Sequence, residues 1–357
     1  MKNFSEVTSF YLHGYYGMEG LKPLYFCIFL IIYIVTVAEN TVLIGVIYCE
    51  KTLHKPMYLM LCSLAVNGLY GSTALLPALL HNLLSRSYQI SLHFCQTQIY
   101  AVHTYAITEF TILAAMSYDR YVAICYPLLY HTIMSQILVK LVVFMWLYPM
   151  LAFIIVLIFT LRLRFCERIV ERVYCLNYSL VKLACTDTSI VNIVGLLSVA
   201  LYTLPQLSMI FYSYAHILRI CVFSSSKSKL KALRTCTPHL LAIINYSIGC
   251  FLEIAQSRFN ISHLPYGTKL FFSLYFLIFP PILNPVIYGL SIEVIRVQIS
   301  RHFCRKKQAL KRDTKSLCSC TVSEVKKEAE EEKEEQSRAG KGRFLVPFNS
   351  SKGMPAE

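Results

Sequence analysis

The sequence predicts an all-α membrane protein: seven transmembrane helices in a bundle, a short amphipathic eighth helix, and a disordered cytoplasmic tail. Three observations carry that prediction. Hydrophobic residues make up 56% of the 357-residue chain and charged residues 15%, where a soluble domain has about 25% charged. Too few polar side chains remain to cover soluble domains of this size, so lipid must cover the surface. Seven stretches have the roughly 20 apolar residues that a helix needs to cross a bilayer. From about residue 305 the composition changes abruptly to a highly charged one.

Residues 1–23 form an N-terminal segment before the first span. Asn3-Phe4-Ser5 within it is a glycosylation sequon. The spans fall near 24–49, 57–80, 97–122, 138–160, 190–222, 236–257 and 268–290. The first is too long for a signal-peptide core and has no small-residue cleavage site after it, so it is expected to be retained. No internal repeat is visible, which argues against a solenoid or a repeat-built transporter.

An odd number of spans puts the termini on opposite sides. Cys95, Cys166, Cys175 and Cys185 fall in or beside the loops after spans two and four, on the N-terminal side. Clustered cysteines on one side suggest an oxidising compartment. Arg296, Arg301, Arg305, Lys306, Lys307, Lys311 and Arg312 follow span seven, and Lys227, Lys229, Lys231 and Arg234 precede span six. The positive-inside rule places these clusters in the cytoplasm. Arg162, Arg164, Arg168, Arg172 and Lys182 after span four oppose that orientation but are outweighed. The net charge of +14 therefore reads as orientation and contact with anionic membrane lipid. It does not read as nucleic-acid binding, because there is no soluble basic domain.

Residues 291–304 place Ile292, Ile295, Val297 and Ile299 against Glu293, Arg296 and Arg301, a pattern for a helix lying on the inner membrane face. Cys304 is either a palmitoylation site or an ordinary reduced cysteine. In the tail, 305–357, a run such as "KKEAEEEKEEQ" (326–336) cannot bury enough apolar surface to fold alone.

Charge reappears at "MSYDRYVAIC" (116–125), where Asp119 and Arg120 stand at the cytoplasmic end of span three, clear of the costly bilayer centre. Taken with "LHKPMY" (53–58), "MSYDRYVAICYPLLY" (116–130), "SY" (213–214), "KALRTCTPHL" (231–240) and "PPILNPVIYGL" (280–290), the chain resembles the rhodopsin-class G-protein-coupled receptors, and within them the olfactory receptors. The resemblance covers about residues 20–305. It implies plasma-membrane localisation, in sensory-neuron cilia if the receptor is olfactory. It implies a small-molecule odorant as ligand, a stimulatory heterotrimeric G protein as partner and a rise in cyclic AMP. Trafficking chaperones are further candidate partners.

The resemblance also implies a switch. Asp119 holds Arg120 at rest, and outward movement of span six frees Arg120 for the G protein. Tyr121, Tyr214, Lys231, Thr235, His239, Asn284, Pro285 and Tyr288 are expected to belong to it. Pro285 lets the helix bend and Tyr288 offers a polar tip that can change partners. The four outer cysteines allow three connectivities, of which the resemblance favours Cys95–Cys175 and Cys166–Cys185. The remaining cysteines in or near the spans suit small apolar packing roles.

The default ligand site is the outer half of the bundle, between spans three, five, six and seven. Helical spacing along span three gives Ile99, Val102, His103 and Ala106 on one broad face. Cys250 and Ile254 share a face of span six with Arg258, and Tyr202 is the candidate on span five. His103 is either a ligand donor or a satisfied core histidine. Arg258 is either the anchor of an anionic ligand or an arginine reaching to the membrane edge.

The chain departs from the family pattern in places. Asn67 stands in span two where an acid is usual, which puts a sodium-type ion site in question. Glu109 remains deep in span three, as a functional group or as a hydrogen-bonded, protonated one. Glu39 precedes Asn40 where glycine is usual, and Ser247 follows Tyr246 where a second aromatic is usual. Two other readings compete: a non-olfactory receptor of the same class for a metabolite or peptide, and a channel or transporter. No nucleophile–base pair, metal-ligand spacing or phosphate loop stands out, so neither an enzyme nor a cofactor is expected.

Overall fold

The computed structural model describes residues 7–223, 226–259, 261, 263–292 and 294–300, with the backbone alone at 226–228 and 231. Asn3, Cys304, the tail 305–357 and the Lys231 side chain lie outside the described residues. The chain divides into two units, Met1–Ile299 and Ser300–Glu357. All elements described here belong to the first.

Among the described residues, seven helices are long and apolar enough to cross a bilayer. They are α1 (Lys22–Cys49), α2 (Pro56–Leu84), α3 (Leu92–Cys125), α4 (Tyr130–Leu161), α6 (Ser189–Phe223), α7 (Ser226–Arg258) and α8 (Tyr266–Ser291); the short α5 (Asn177–Val181) lies in the loop between α4 and α6. Several run past the apolar stretches. α4 begins at Tyr130 rather than near 138, and α7 at Ser226 rather than 236. Hydropathy registers only the part that lipid covers, whereas polar turns such as "SKSKLKALRT" keep helical hydrogen bonds in water. Residues 294–300 are also helical, with Ile295 buried and Val294, Arg296 and Val297 exposed.

α3 is the most buried span and touches α2, α4, α6 and α7, while α8 packs on α7, α2 and α1. The helix starts follow local chemistry. Pro23 and Pro56 occupy the first turns of α1 and α2, where a missing N–H costs nothing. Ser91 caps α3 by accepting from the Phe94 amide at 3.3 Å. Asp187 accepts from the Ser189 amide at 2.9 Å and its hydroxyl at 2.6 Å, which opens α6 and holds the Asp187 carboxyl below its ordinary pKa.

Prolines inside spans are matched by neighbours. Pro285 in α8 has no N–H to give the carbonyl of Pro281, four residues earlier. The Asn40 side-chain amide of α1 donates to that carbonyl at 2.9 Å instead. Such cross-helix rescue is how a bilayer-embedded helix tolerates proline.

The N-terminal end of the bundle carries a small sheet that hydropathy does not register. β1 (Ser9–Leu12) lies between β2 (Gln89–Ser91), antiparallel, and β3 (Ile169–Val170), parallel. The 3-10 turns that follow bury Tyr15 and Met18. Tyr15 stacks on Tyr88, its ring centroid 5.1 Å away, and Tyr266 donates its hydroxyl to the Gly14 carbonyl at 2.6 Å. A Cβ at Gly14 would sit 2.6 Å from the carbonyl carbon of Arg172, so only glycine allows this approach. The N-terminal segment thus clamps the α4–α6 loop at Arg172.

Candidate functional site

Three polar groups of residues run the length of the bundle. At the end remote from the disulfides, Asp119 is fully buried and forms a salt bridge with Arg120, whose Nε lies 3.0 Å from Oδ2. Tyr130, in the first turn of α4, donates its hydroxyl to the other carboxylate oxygen at 2.8 Å. The acid is therefore held on both oxygens. Tyr121 packs edge-on against Tyr126, Tyr212 and His216.

His239 of α7 joins three helices. Its Nε2 lies 3.0 Å from the Leu113 carbonyl of α3 and its Nδ1 lies 2.5 Å from the Tyr214 hydroxyl of α6. A carbonyl only accepts, so Nε2 carries the proton and Nδ1 accepts from Tyr214. One neutral tautomer satisfies both contacts. Tyr288 is fully buried on α8, one turn beyond Asn284, and its hydroxyl has no hydrogen-bond partner among the described residues.

At mid-bundle, Glu109 accepts from the Asn67 amide at Oε2 and the Asn284 amide at Oε1, both at 2.7 Å. All three side chains are buried. The network joins α2, α3 and α8. Gly71 admits the Tyr105 ring beside it, since a Cβ there would lie 2.3 Å from the ring.

At the N-terminal end both disulfides are formed, Cys95–Cys175 with Cα atoms 5.4 Å apart and Cys166–Cys185 with 5.3 Å. Gln98 of α3 accepts from the Cys175 amide at 2.9 Å. The loop so fastened sends two side chains into the bundle. Arg172 pairs with Glu253 of α7, Nη1 to Oε1 at 3.2 Å, and donates to Ser273 at 3.1 Å and Ser257 at 3.0 Å. The Tyr174 hydroxyl lies 3.1 Å from Glu253 Oε2 and 3.0 Å from the Ser273 carbonyl. Burial beside this acid raises the Tyr174 pKa well above its ordinary value, so the phenol stays protonated. In the sequence Arg172 is only one charge of a basic loop, with no signal that it turns inward.

The expected pocket residues divide. Ile99 and Val102 are buried, Cys250 is half-buried, and the Ala106 carbonyl accepts from Tyr246 at 2.7 Å. His103 stacks on Phe153 of α4 at 4.3 Å and donates from Nδ1 to the Ile99 carbonyl at 2.8 Å. Tyr202 donates to the Ala152 carbonyl of α4 at 2.8 Å. Both polar groups thus face α4. Ile254 is 51% exposed on the outside of the bundle. Arg258 is exposed and lies over the Tyr178 ring at 4.0 Å. No cluster of potential metal ligands occurs among the described residues.

The family model described as olfactory receptor matches residues 27–306. The chain belongs to the olfactory receptor family. Human olfactory receptor 51F2 is 33% identical over 297 residues, 80% of this chain and 86% of that one. Mouse olfactory receptor 5M5 is 36% identical, over 81% of this chain and 91% of that one. Among solved structures, squid rhodopsin matches with a TM-score of 0.60 at 16% identity, covering 79% of this chain and 86% of that one. The likeness to rhodopsin shows the fold: a seven-helix receptor bundle. An olfactory receptor of this fold is a multi-pass membrane receptor of a signalling family.

Proposed function

We propose that this olfactory receptor binds a small molecule at the disulfide end of the bundle and activates a stimulatory heterotrimeric G protein at the opposite end, raising cyclic AMP. The disulfide end faces the cell exterior, and the Arg120 end faces the cytoplasm. Oxidised cysteines at one end and the basic clusters toward the other support that orientation.

The observation that carries the reading is the double restraint on Asp119. Arg120 and Tyr130 together take both of its oxygens. A buried ion pair with a third fixed partner is either made or broken, so it forms a two-position element that a distant ligand can bias. His239 ties α7 to α3 and α6 beside it, so outward movement of α7 must break the Tyr214 and Leu113 contacts. Asn284, Pro285 and Tyr288 supply the hinge on α8; the unpartnered Tyr288 hydroxyl gains a hydrogen bond in any second position that offers one.

The test is cyclic AMP in cells that express the full chain with an olfactory-type stimulatory G protein. Arg120→Ala should abolish the response to any agonist at normal surface display. A retained response would discard the switch. Tyr130→Phe removes one restraint on Asp119. It should raise ligand-independent cyclic AMP by up to about tenfold, the weight of one hydrogen bond to a charged group at roughly 1.5 kcal/mol. An unchanged baseline would show that Tyr130 does not restrain the pair.

A further inference from the structure

Glu253 is a half-buried acid that the switch does not use. Its side chain is 14% exposed and that of its partner Arg172 is 8% exposed. The two are anchored unequally. Glu253 belongs to helix α7, whereas Arg172 belongs to the α4–α6 loop, fastened nearby by the two-residue strand β3, Gly14 and the disulfide at Cys175. A molecule that enters between α7 and α8 must move Arg172 and leave Glu253 where it is. What then faces the newcomer is the set of acceptors that Arg172 had filled: the Glu253 carboxylate and the hydroxyl oxygens of Ser257 and Ser273.

Charge decides which newcomer is tolerated. A neutral molecule would leave the Glu253 carboxylate with the Tyr174 and Ser257 hydroxyls as donors and no counter-charge, which is unfavourable away from water. A carboxylate would bring a like charge beside Glu253. A cation with several N–H donors would replace what Arg172 supplies, both the charge and the hydrogen bonds. We infer that the ligand of this receptor is an organic cation, a protonated amine or guanidine, and that Arg172 is its tethered stand-in in the ligand-free form. The inference rests on the proposed ligand site at this end of the bundle.

The test reads binding without the G protein, so that its failure is separate from a failure of coupling. The full chain, purified in lipid nanodiscs, is heated with hexylamine, hexanol or hexanoate, and the shift in unfolding midpoint is measured against concentration. Hexylamine should stabilise the protein more than the other two. Arg172→Ala removes the competing cation, so half-maximal stabilisation should need about tenfold less hexylamine. Glu253→Gln should lose the response to hexylamine and, with Arg172 now unpaired, gain one to hexanoate. The double variant Arg172→Ala/Glu253→Gln has no buried charge at this place and serves if either single variant folds poorly; it should show no preference for the amine. Stabilisation by hexanoate lost on Arg258→Ala, an amine effect unchanged in Glu253→Gln, or no shift with any of the three in Arg172→Ala would overturn the inference. An amine that stabilises the receptor without raising cyclic AMP would leave it standing and remove only the coupling.

Discussion

Cys95→Ser/Cys175→Ser should lower the thermal stability of the purified receptor more than Cys166→Ser/Cys185→Ser. The first bridge joins residues 80 apart and the second residues 19 apart. Chain entropy alone gives roughly 4.5 kcal/mol for the longer closure and roughly 3 for the shorter. Those figures are upper bounds in a bilayer, because spans that stay inserted already restrict the unfolded chain. The larger difference is structural. Cys175 is the point at which the loop is pinned to α3, with Gln98 on its amide, and Tyr174 and Arg172 reach into the bundle from the residues just before it. Without that pin, the backbone that carries Arg172 and Tyr174 is no longer held against the bundle. Cys166–Cys185 closes a segment that the Phe165–Ala184 bridge and the Cys185 amide on the Arg164 carbonyl already hold. Midpoints measured without reductant, beside surface display, decide it. Equal losses in the two double variants would mean that the loop is held mainly by its own strand contacts.

What the sequence makes legible here follows from the solvent. A bilayer demands about 20 apolar residues per crossing, so every span can be counted from hydropathy. It demands nothing of the turns beyond it, so the starts of α4 at Tyr130 and of α7 at Ser226 go unseen. The four-residue strand β1 goes unseen for another reason: its partners lie 78 and 158 residues away in register, Tyr11 against Gln89 and Ile169. Within the site, Asp119, Arg120, His239 and Tyr288 are legible through their motifs. Their partners are less so. Leu113 takes part through a carbonyl that any residue would supply, and Tyr130 stands in a quoted motif without any sign that its hydroxyl meets Asp119. Helical spacing puts His103 on a broad face of α3, but only the position of α4 shows that its ring meets Phe153.

Glu109→Leu is the substitution within the spans with the largest expected cost to stability, about 2–5 kcal/mol, while Glu109→Gln should cost far less. Leucine removes an acceptor from two buried amides at once, Asn284 on α8 and Asn67 on α2, of which Asn67 keeps only its bond to the Tyr105 carbonyl. Each buried donor left without a partner costs about 1–3 kcal/mol, and the bilayer core offers no water in exchange. Glutamine keeps one acceptor oxygen and brings a donor. That donor has a use at Asn284, whose Oδ1 is buried with no partner among the described residues. Turning over the Asn284 amide presents its oxygen to the new NH2 group, while the Asn67 amide, which also donates to the Tyr105 carbonyl at 3.1 Å, keeps its bond to the glutamine oxygen. The unfolding midpoints of the purified variants test this order, and a leucine variant as stable as the parent would show that the three side chains are not coupled. The same substitution should reach the switch. Asn284 is held through Glu109 to α2 and α3, and Tyr288 stands one helical turn further along the same face of α8. With the anchor gone, the segment that Pro285 already weakens loses its side-chain tie to α3, so ligand-independent cyclic AMP should shift in the leucine variant and stay near the parent level in the glutamine one.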